Sequence, residues 1–475
     1  MTEEKKRVSP VTLDTNRFWT EEDVLAATGG EWITPPTPGW MATGLSLYAP
    51  AFQPGNMVVV RSMADESGMP ARAALALMPP PACLITVDPD PLVHYSLPLL
   101  KISEGFAAII NLGRYARNQI QGKVLGVTGS AGKTTCVAML ADALSAWGTT
   151  CKSAYNANLP RGVAWNLASI PWDTPHVVLE MAIGRMAISS RMARPDIAIF
   201  TNIQPAHLGE KTTIRDVAIT KSAIFLGMLP EGIAILNRDM HEWETVHQAA
   251  AAKGLTVLHY GSHETSDVRL IHYDAVQQRV EAEVCGQNVC YPLAAGGRHM
   301  ALNSLAVLAA VSALGYPLEP ALARLSRFTA LAGRGELKRV TLNGTSFNLI
   351  DDAYNANPGS MQAALEQLSE QTCKGRRIAV LSEMKELGPQ SADYHTQLAA
   401  QLNDSTIDKV YLVGNVWQQC WDLLKAEKKA TYVDDPQQLK PLLCTQLQPE
   451  DTVLFKGSNS TKLHQLVSWI DDHPG

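Results

Sequence analysis

The sequence predicts an α/β protein of three domains in series: a small α/β domain over 1–120, a central parallel-sheet domain over 121–330 and a Rossmann-like domain over 331–475. Three observations carry this. The chain has 475 residues, too many for one hydrophobic core and enough for two to four. Strand-like and helix-like stretches alternate from Gly122 to about Thr329 and again from Arg334 to the end, as in parallel sheets wrapped by helices. The central stretch also opens with LGVTGSAGKTT at 125–135, a glycine-rich turn between a strand and a helix.

Composition sets the limits. The chain is 46% apolar and 18% charged, as an ordinary globular protein is, and its net charge of −6 offers no basic face to nucleic acid. The opening MTEEKKRVSP lacks the apolar segment of a signal peptide. The richest apolar run, Met300 to Leu314, is broken by Asn303 and Ser304, so no membrane insertion is expected. A cytoplasmic monomer is the expectation. Of the 8 cysteines, Cys285 and Cys290 flank a hairpin-like turn, with no further ligands nearby for a metal.

In chain order, the first domain shows a helix over Thr20–Ala27, opened by Thr20 with Asp23 three residues on. Strands over Met57–Val60 and Cys83–Val87 follow, with helices over Ala71–Leu77 and Glu104–Gln119. The central domain begins with a strand ending at Val124, Leu125 and Val127, and a helix runs from Thr135 to Trp147. The turn between them, closed by Gly132, Lys133 and Thr134, aims backbone N–H groups and a helix N-terminus at one spot, which suits a polyphosphate. Lys133 would reach the terminal phosphates of ATP, and the Thr134 hydroxyl is placed for Mg²⁺. The usual spacing puts a glycine at position 127; here Val127 stands there and the glycine is Gly129.

Strands over Val177–Leu179 and Ile197–Phe200 end in Glu180 and in Thr201-Asn202, the latter leading to His207. Ligands of open parallel sheets sit beyond the carboxyl ends of the strands. Glu180 and His207 are therefore candidate Mg²⁺ ligands, with ordinary loop residues as the alternative. In the last domain, a strand over Phe347–Ile350 ends in DDAYNANP at 351–358. Strands over Arg377–Leu381, Lys409–Val413 and Val453–Phe455 follow, the last leading into Lys456-Gly457-Ser458.

Taken together, TGSAGKTT at 128–135, TNIQPAHL at 201–208, VAITKSAIFLGMLPEGIAILNRD at 217–239, GGRHMALNSLAVLAA at 296–310, AGRGE at 332–336, IDDAYNANPGSMQAAL at 350–365, LSEMKELG at 381–388 and LFKGS at 454–458 resemble the Mur ligase family, most nearly its D-alanyl-D-alanine-adding members. The resemblance covers about 124–466 and implies the three-domain Mur-ligase architecture with a central phosphate-loop ATPase domain. It implies that ATP phosphorylates a small-molecule carboxylate and that an amine displaces the phosphate to form an amide. By resemblance, Gly129, Ser130, Gly132, Lys133, Thr134 and Thr135 would hold the nucleotide phosphates. Asn303, Arg334, Asp352 and Tyr354 would hold its remainder. Thr134, Glu180, His207 and Lys221 would bind Mg²⁺, with Lys133, His207 and Lys221 catalytic. Lys221 matches a family lysine carried as a carbamate, whereas its local sequence reads as a solvated helix lysine. Asn355 and Asn357 would line the substrate cleft, and Lys456 and Ser458 would serve the amine. A hinge is expected over Thr329–Gly333.

The chain also departs from the family. Thr43 to Ala49 lack the acidic–basic pair expected before Gln53-Pro54-Gly55-Asn56, and the segment after Glu180 reads Met-Ala-Ile-Gly-Arg-Met in place of Met-Gly-Ala-Asn-His. Asn459 stands where an arginine is common. The residues for ATP are kept and those for a UDP-linked peptide are altered. The sequence therefore favours a Mur-type amide ligase with a carboxylate substrate other than UDP-MurNAc-tripeptide. Competing readings are the cell-wall ligase itself, a non-catalytic nucleotide-binding partner protein, and an amino-acid-polymerising ligase.

Overall fold

A computed structural model describes residues 18–206 and 212–473. The described residues form sheets of two, five, six and nine strands, in two compact units.

The first unit holds residues up to Gly122 together with Ala164–Pro175, a segment that the sequence reading left in the central domain. Its five-stranded sheet runs in the order Glu31–Thr34, Leu99–Lys101, Leu84–Thr86, Asn56–Val59, Gly44–Ser46. Val58, Leu84 and Leu99 form part of its core. Helix Glu21–Thr28 begins at Thr20, whose hydroxyl and the Asp23 carboxylate cap each other's backbone N–H. Ala164–Pro175 joins this unit through side chains distant in sequence. The Trp19 indole donates to Ala168 O at 2.8 Å, Trp172 meets Trp19 edge-on at 5.5 Å, and Ser169 Oγ donates to Leu45 O at 2.9 Å.

The second unit comprises Lys123–Val163 and from His176 onward, so the two larger sheets cluster as one body. Strand order in the nine-stranded sheet is Gln287–Pro292, Arg279–Val284, Val268–Asp274, Thr256–Gly261, Ile233–Asn237, Ile197–Phe200, Lys123–Thr128, His176–Glu180, Thr150–Lys152. Neighbours are parallel from Thr150–Lys152 across to Val268–Asp274, and the last two pairings are antiparallel. The hairpin turn is Cys285-Gly286, both at positive φ, with Cys290 opposite Glu281. Helix Lys133–Leu144 starts two residues earlier than the sequence suggests, and Ser145–Trp147 continues it as a 3₁₀ turn. The apolar run near Met300 is helix Arg298–Ala313, buried against Leu140, Val268 and Leu318. No described helix is long and apolar enough to cross a membrane.

The six-stranded sheet runs Glu336–Leu342, Thr345–Asp352, Thr452–Lys456, Arg377–Ser382, Lys409–Val413, Lys429–Val433, parallel except for the first pair. That first strand escaped the sequence reading because it is largely half-exposed. Its link to the next is Asn343-Gly344, with φ of 48° and 77°, the left-handed pair a two-residue hairpin requires. The register sets Asp352 beside Lys456 at the carboxyl ends of adjacent strands.

Candidate active site

Strand Lys123–Thr128 ends inside the nine-stranded sheet, and the chain turns through Gly129 (φ 150°) and Gly132 (φ 76°) into helix Lys133–Leu144. Asn202 braces this loop from the neighbouring strand end: its carbonyl accepts Ser130 N–H at 3.0 Å and its Oδ1 accepts Ala131 N–H at 2.9 Å. Lys133, Thr134 and Thr135 then open the helix, where first-turn N–H groups lack intrahelical partners. A Cβ on Gly129 would lie 2.0 Å from Thr201 Oγ1. Gly129→Ala is therefore expected to displace the loop and weaken ADP binding about a hundredfold or more, read by calorimetry. Binding within threefold of the parent would show that the loop does not hold phosphate.

Two lysines converge on Gly129. Lys133 Nζ donates to its carbonyl at 2.9 Å and Lys221 Nζ at 3.0 Å. Lys221 comes from helix Ile214–Ser222 and is 0% exposed, so the solvated-lysine alternative does not hold. Burial lowers the Lys133 ammonium, with Glu180 opposing and Arg334 adding to the shift. Burial, and then Lys133, hold Lys221 well below the ordinary lysine range, with Glu180 opposing.

Glu180 ends strand His176–Glu180, one strand over from the loop. Its Oε2 accepts Thr134 Oγ1 at 2.7 Å, its Oε1 accepts Asn158 Nδ2 at 2.9 Å, and its backbone N–H donates to Ser153 Oγ at 2.9 Å. A carboxylate touching a hydroxyl beside a phosphate loop is a hard-oxygen donor set that fits Mg²⁺, an ion that usually takes few protein ligands and fills its shell with phosphate and water. The described residues contain no group of three or more His, Cys, Asp or Glu that could hold a metal. His207 lies outside the described residues.

Lys133, Thr134, Asn158 and Glu180 line a cavity of about 520 Å³ that extends to residues of the six-stranded sheet. Asn303, 6% exposed, sits with Oδ1 3.0 Å from where a Gly132 Cβ would be. The Arg334 guanidinium stacks 4.3 Å over the Tyr354 ring, and the Tyr354 hydroxyl accepts from the Asn156 amide. Asp352 forms an ion pair with Lys456 at 2.6 Å. Asn355 and Asn357 also line the cavity, and Asn357 caps helix Pro358–Glu370 through Ser360 N–H. Lys456 and Ser458 are buried at 1% and 4% exposure, with their polar atoms engaged. Ser458 Oγ accepts Lys385 N–H at 2.9 Å and donates to Ala356 O at 3.4 Å.

All the described candidate residues except Gly129, Lys221 and Ser458 line the cavity wall; Gly129 and Lys221 lie against the phosphate loop. The sequence reading passed over Asn156, Asn158, Gln204 and His299, which line it too. One signal was available: Tyr-Asn-Ala-Asn occurs at 155–158 and again at 354–357. Both copies reach the cavity and meet at Asn156 and Tyr354. His299 carried no comparable signal. Burial, with Lys456 nearby, lowers it to about 4, so its imidazole is neutral at pH 7.

Residues 127–311 match the Mur ligase middle domain, and 333–459 match the family described as Mur ligase, glutamate ligase domain. The UDP-N-acetylmuramoyl-tripeptide–D-alanyl-D-alanine ligase of Escherichia coli is 30% identical over 400 residues, 79% of this chain and 83% of that protein. A crystal structure of MurF from Acinetobacter baumannii superimposes with a TM-score of 0.80 at 24% identity, covering 96% of this chain and 99% of that one. The MurF ligase of Thermotoga maritima, solved in complex with ADP, gives 0.74 at 24% identity, covering 91% and 97%. The three-domain fold is shared with both structures.

Proposed function

We propose that this chain, which belongs to the Mur ligase family, joins D-alanyl-D-alanine to the terminal carboxylate of a UDP-MurNAc-tripeptide. Members of the family are ATP-dependent, ADP-forming ligases acting on small molecules, and this chain is one. The observation that carries the finer reading is the 30% identity to the E. coli ligase across 83% of that protein. It favours the cell-wall reaction over the different carboxylate that the sequence alone suggested. The first unit, which includes Ala164–Pro175, would take the nucleotide-linked carboxylate, the rest of the central stretch to 330 ATP, and 331–475 the amine. The enzyme works as a cytoplasmic monomer, where ATP is supplied.

A carboxylate acylates an amine only after one of its oxygens becomes a good leaving group. In the proposed reaction a carboxylate oxygen attacks the γ-phosphorus of ATP and ADP departs. The amine, once deprotonated, attacks the acyl carbon, and inorganic phosphate leaves with the C–O electron pair. The protein's part in such phosphoryl transfer is mainly positioning and charge neutralisation. Gly129, Ser130, Gly132, Lys133, Thr134 and Thr135 cradle the phosphates, and Lys133 neutralises the terminal ones. Asn303, Arg334 and Tyr354 hold the nucleoside, and Asp352 accepts from its ribose hydroxyls. Thr134, Glu180, His207 and Lys221, if carbamylated, would hold Mg²⁺, which when bound would neutralise charge on the phosphates. Asn158 keeps the Glu180 carboxylate aimed at Thr134. Asn355 and Asn357 face the acyl and amine substrates, and closure over the cavity excludes water from the acyl phosphate.

A second reading, a different carboxylate substrate, rests on the sequence after Glu180, which reads Met-Ala-Ile-Gly-Arg-Met at 181–186 where the resemblance implies Met-Gly-Ala-Asn-His. The test is ADP release by the purified protein with UDP-MurNAc-tripeptide and D-Ala-D-Ala, with the product identified by mass spectrometry. The expected product is the UDP-MurNAc-pentapeptide. Turnover only with other carboxylic acids would overturn the cell-wall assignment in favour of the second reading.

A further inference from the structure

Two of the three Lys456 N–H donors are held by acceptors of this chain. Lys456 is 1% exposed, its Nζ lies 2.6 Å from Asp352 Oδ2, and it also donates to Asn355 O at 3.3 Å. The pairing is fixed by topology, because Asp352 and Lys456 are register partners at the carboxyl ends of neighbouring parallel strands. Both side chains reach the same cavity wall, yet the Lys456 side chain is 2% exposed against 21% for Asp352. The ammonium lies behind and the carboxylate in front.

We propose that Lys456 is a positioning residue for the nucleotide, holding the Asp352 carboxylate ionised and aimed into the cavity, and that it does not contact the amine substrate. This rests on the assignment of Asp352 to the ribose. A buried carboxylate deprived of its cation takes up a proton or swings toward water. Burial already raises Asp352 above the ordinary carboxylate range, and Lys456 is the strongest influence holding it down. The other charged groups facing Asp352 are Arg334, which also lowers it, and Asp351, which raises it; His299 faces Lys456 and is neutral at pH 7. The ionised carboxylate accepts at both oxygens, whereas the protonated one turns one of them into a donor.

The test is calorimetric ADP binding between pH 5 and 9, with steady-state KM for ATP and for the amine measured in parallel. Lys456→Met is expected to weaken ADP binding at pH 7 at least tenfold. Removing the cation lets the Asp352 carboxyl rise further, so the acid-side loss of affinity should begin at higher pH than in the parent. KM for the amine should stay within about twofold. Lys456→Arg, which keeps the charge, should retain affinity within about threefold. The pair Asp352→Asn with Lys456→Met leaves no lone buried charge, so it guards against a folding defect, and it should bind ADP as Asp352→Asn alone does. Parent-like ADP binding and pH dependence in Lys456→Met, or a rise confined to the amine KM, overturns the proposal while the ribose assignment stands. Unchanged ADP binding in Asp352→Asn would instead bring down the ribose assignment and this inference with it.

Discussion

Lys133→Met is expected to slow ADP formation about a thousandfold, roughly 4 kcal/mol of lost transition-state stabilisation. Methionine keeps the length and apolar stem of lysine, so the helix start and loop should survive while the charge is lost. The Lys133 ammonium sits at the start of helix Lys133–Leu144 with one bond to Gly129 O, close to where the helix N-terminus already favours an anion. Its environment gives a pH signature as well. Because burial lowers Lys133 below its ordinary 10.5, it loses its proton on the alkaline side earlier than an exposed lysine would. The KM for ATP should therefore climb with rising pH from below that value, and this limb should be absent in Lys133→Met. The measurement is steady-state ADP release across pH. Turnover unchanged in Lys133→Met would sink the nucleotide assignment.

That this loop was legible in the sequence, and other parts of the site were not, follows from the range over which each is built. Gly129, Gly132, Lys133 and Thr134 act through backbone turns and a helix start within a few residues, so their pattern carries the chemistry. Glu180 was legible because apolar strands announce their own ends. The burial of Lys221 was not, since it depends on Gly129, 92 residues away, and the helix around it is polar enough to pass for a solvated one. Lys456 was expected to serve the amine; its partner Asp352 is fixed by strand register across 104 residues, which no local spacing encodes. The same holds for Ala164–Pro175. Trp172 looks like a central-domain residue in sequence, and only its packing on Trp19 and Tyr115 puts it with the first unit. The fold class survived these misses because alternating strands and helices define it, whichever residues later meet.

Lys221→Ala is expected to lose a hundredfold or more in turnover, and a small carboxylate such as acetate or formate should restore part of it. The structure holds a conflict at Gly129. Two lysine side chains reach the same carbonyl, Gly129 O, and Lys221 is completely buried there beside a second cation. A permanently charged ammonium is a poor occupant of that place. The neutral amine, which burial and Lys133 favour, can add to CO₂: the nitrogen lone pair forms an N–C bond, a proton leaves to water, and a carbamate anion remains. That anion would complement Lys133 and would offer Mg²⁺ a further hard-oxygen ligand besides Thr134 and Glu180. Free amine is needed for the addition, so activity should fall on acidification and recover with added bicarbonate, and ¹³C-bicarbonate should give a carbamate resonance missing from Lys221→Ala. Rescue of Lys221→Ala by acetate and not by methylamine would identify the missing group as a carboxylate. Rescue by methylamine alone would mean that Lys221 works as a plain amine, and the conflict at Gly129 would then have to be relieved by the phosphates of the nucleotide.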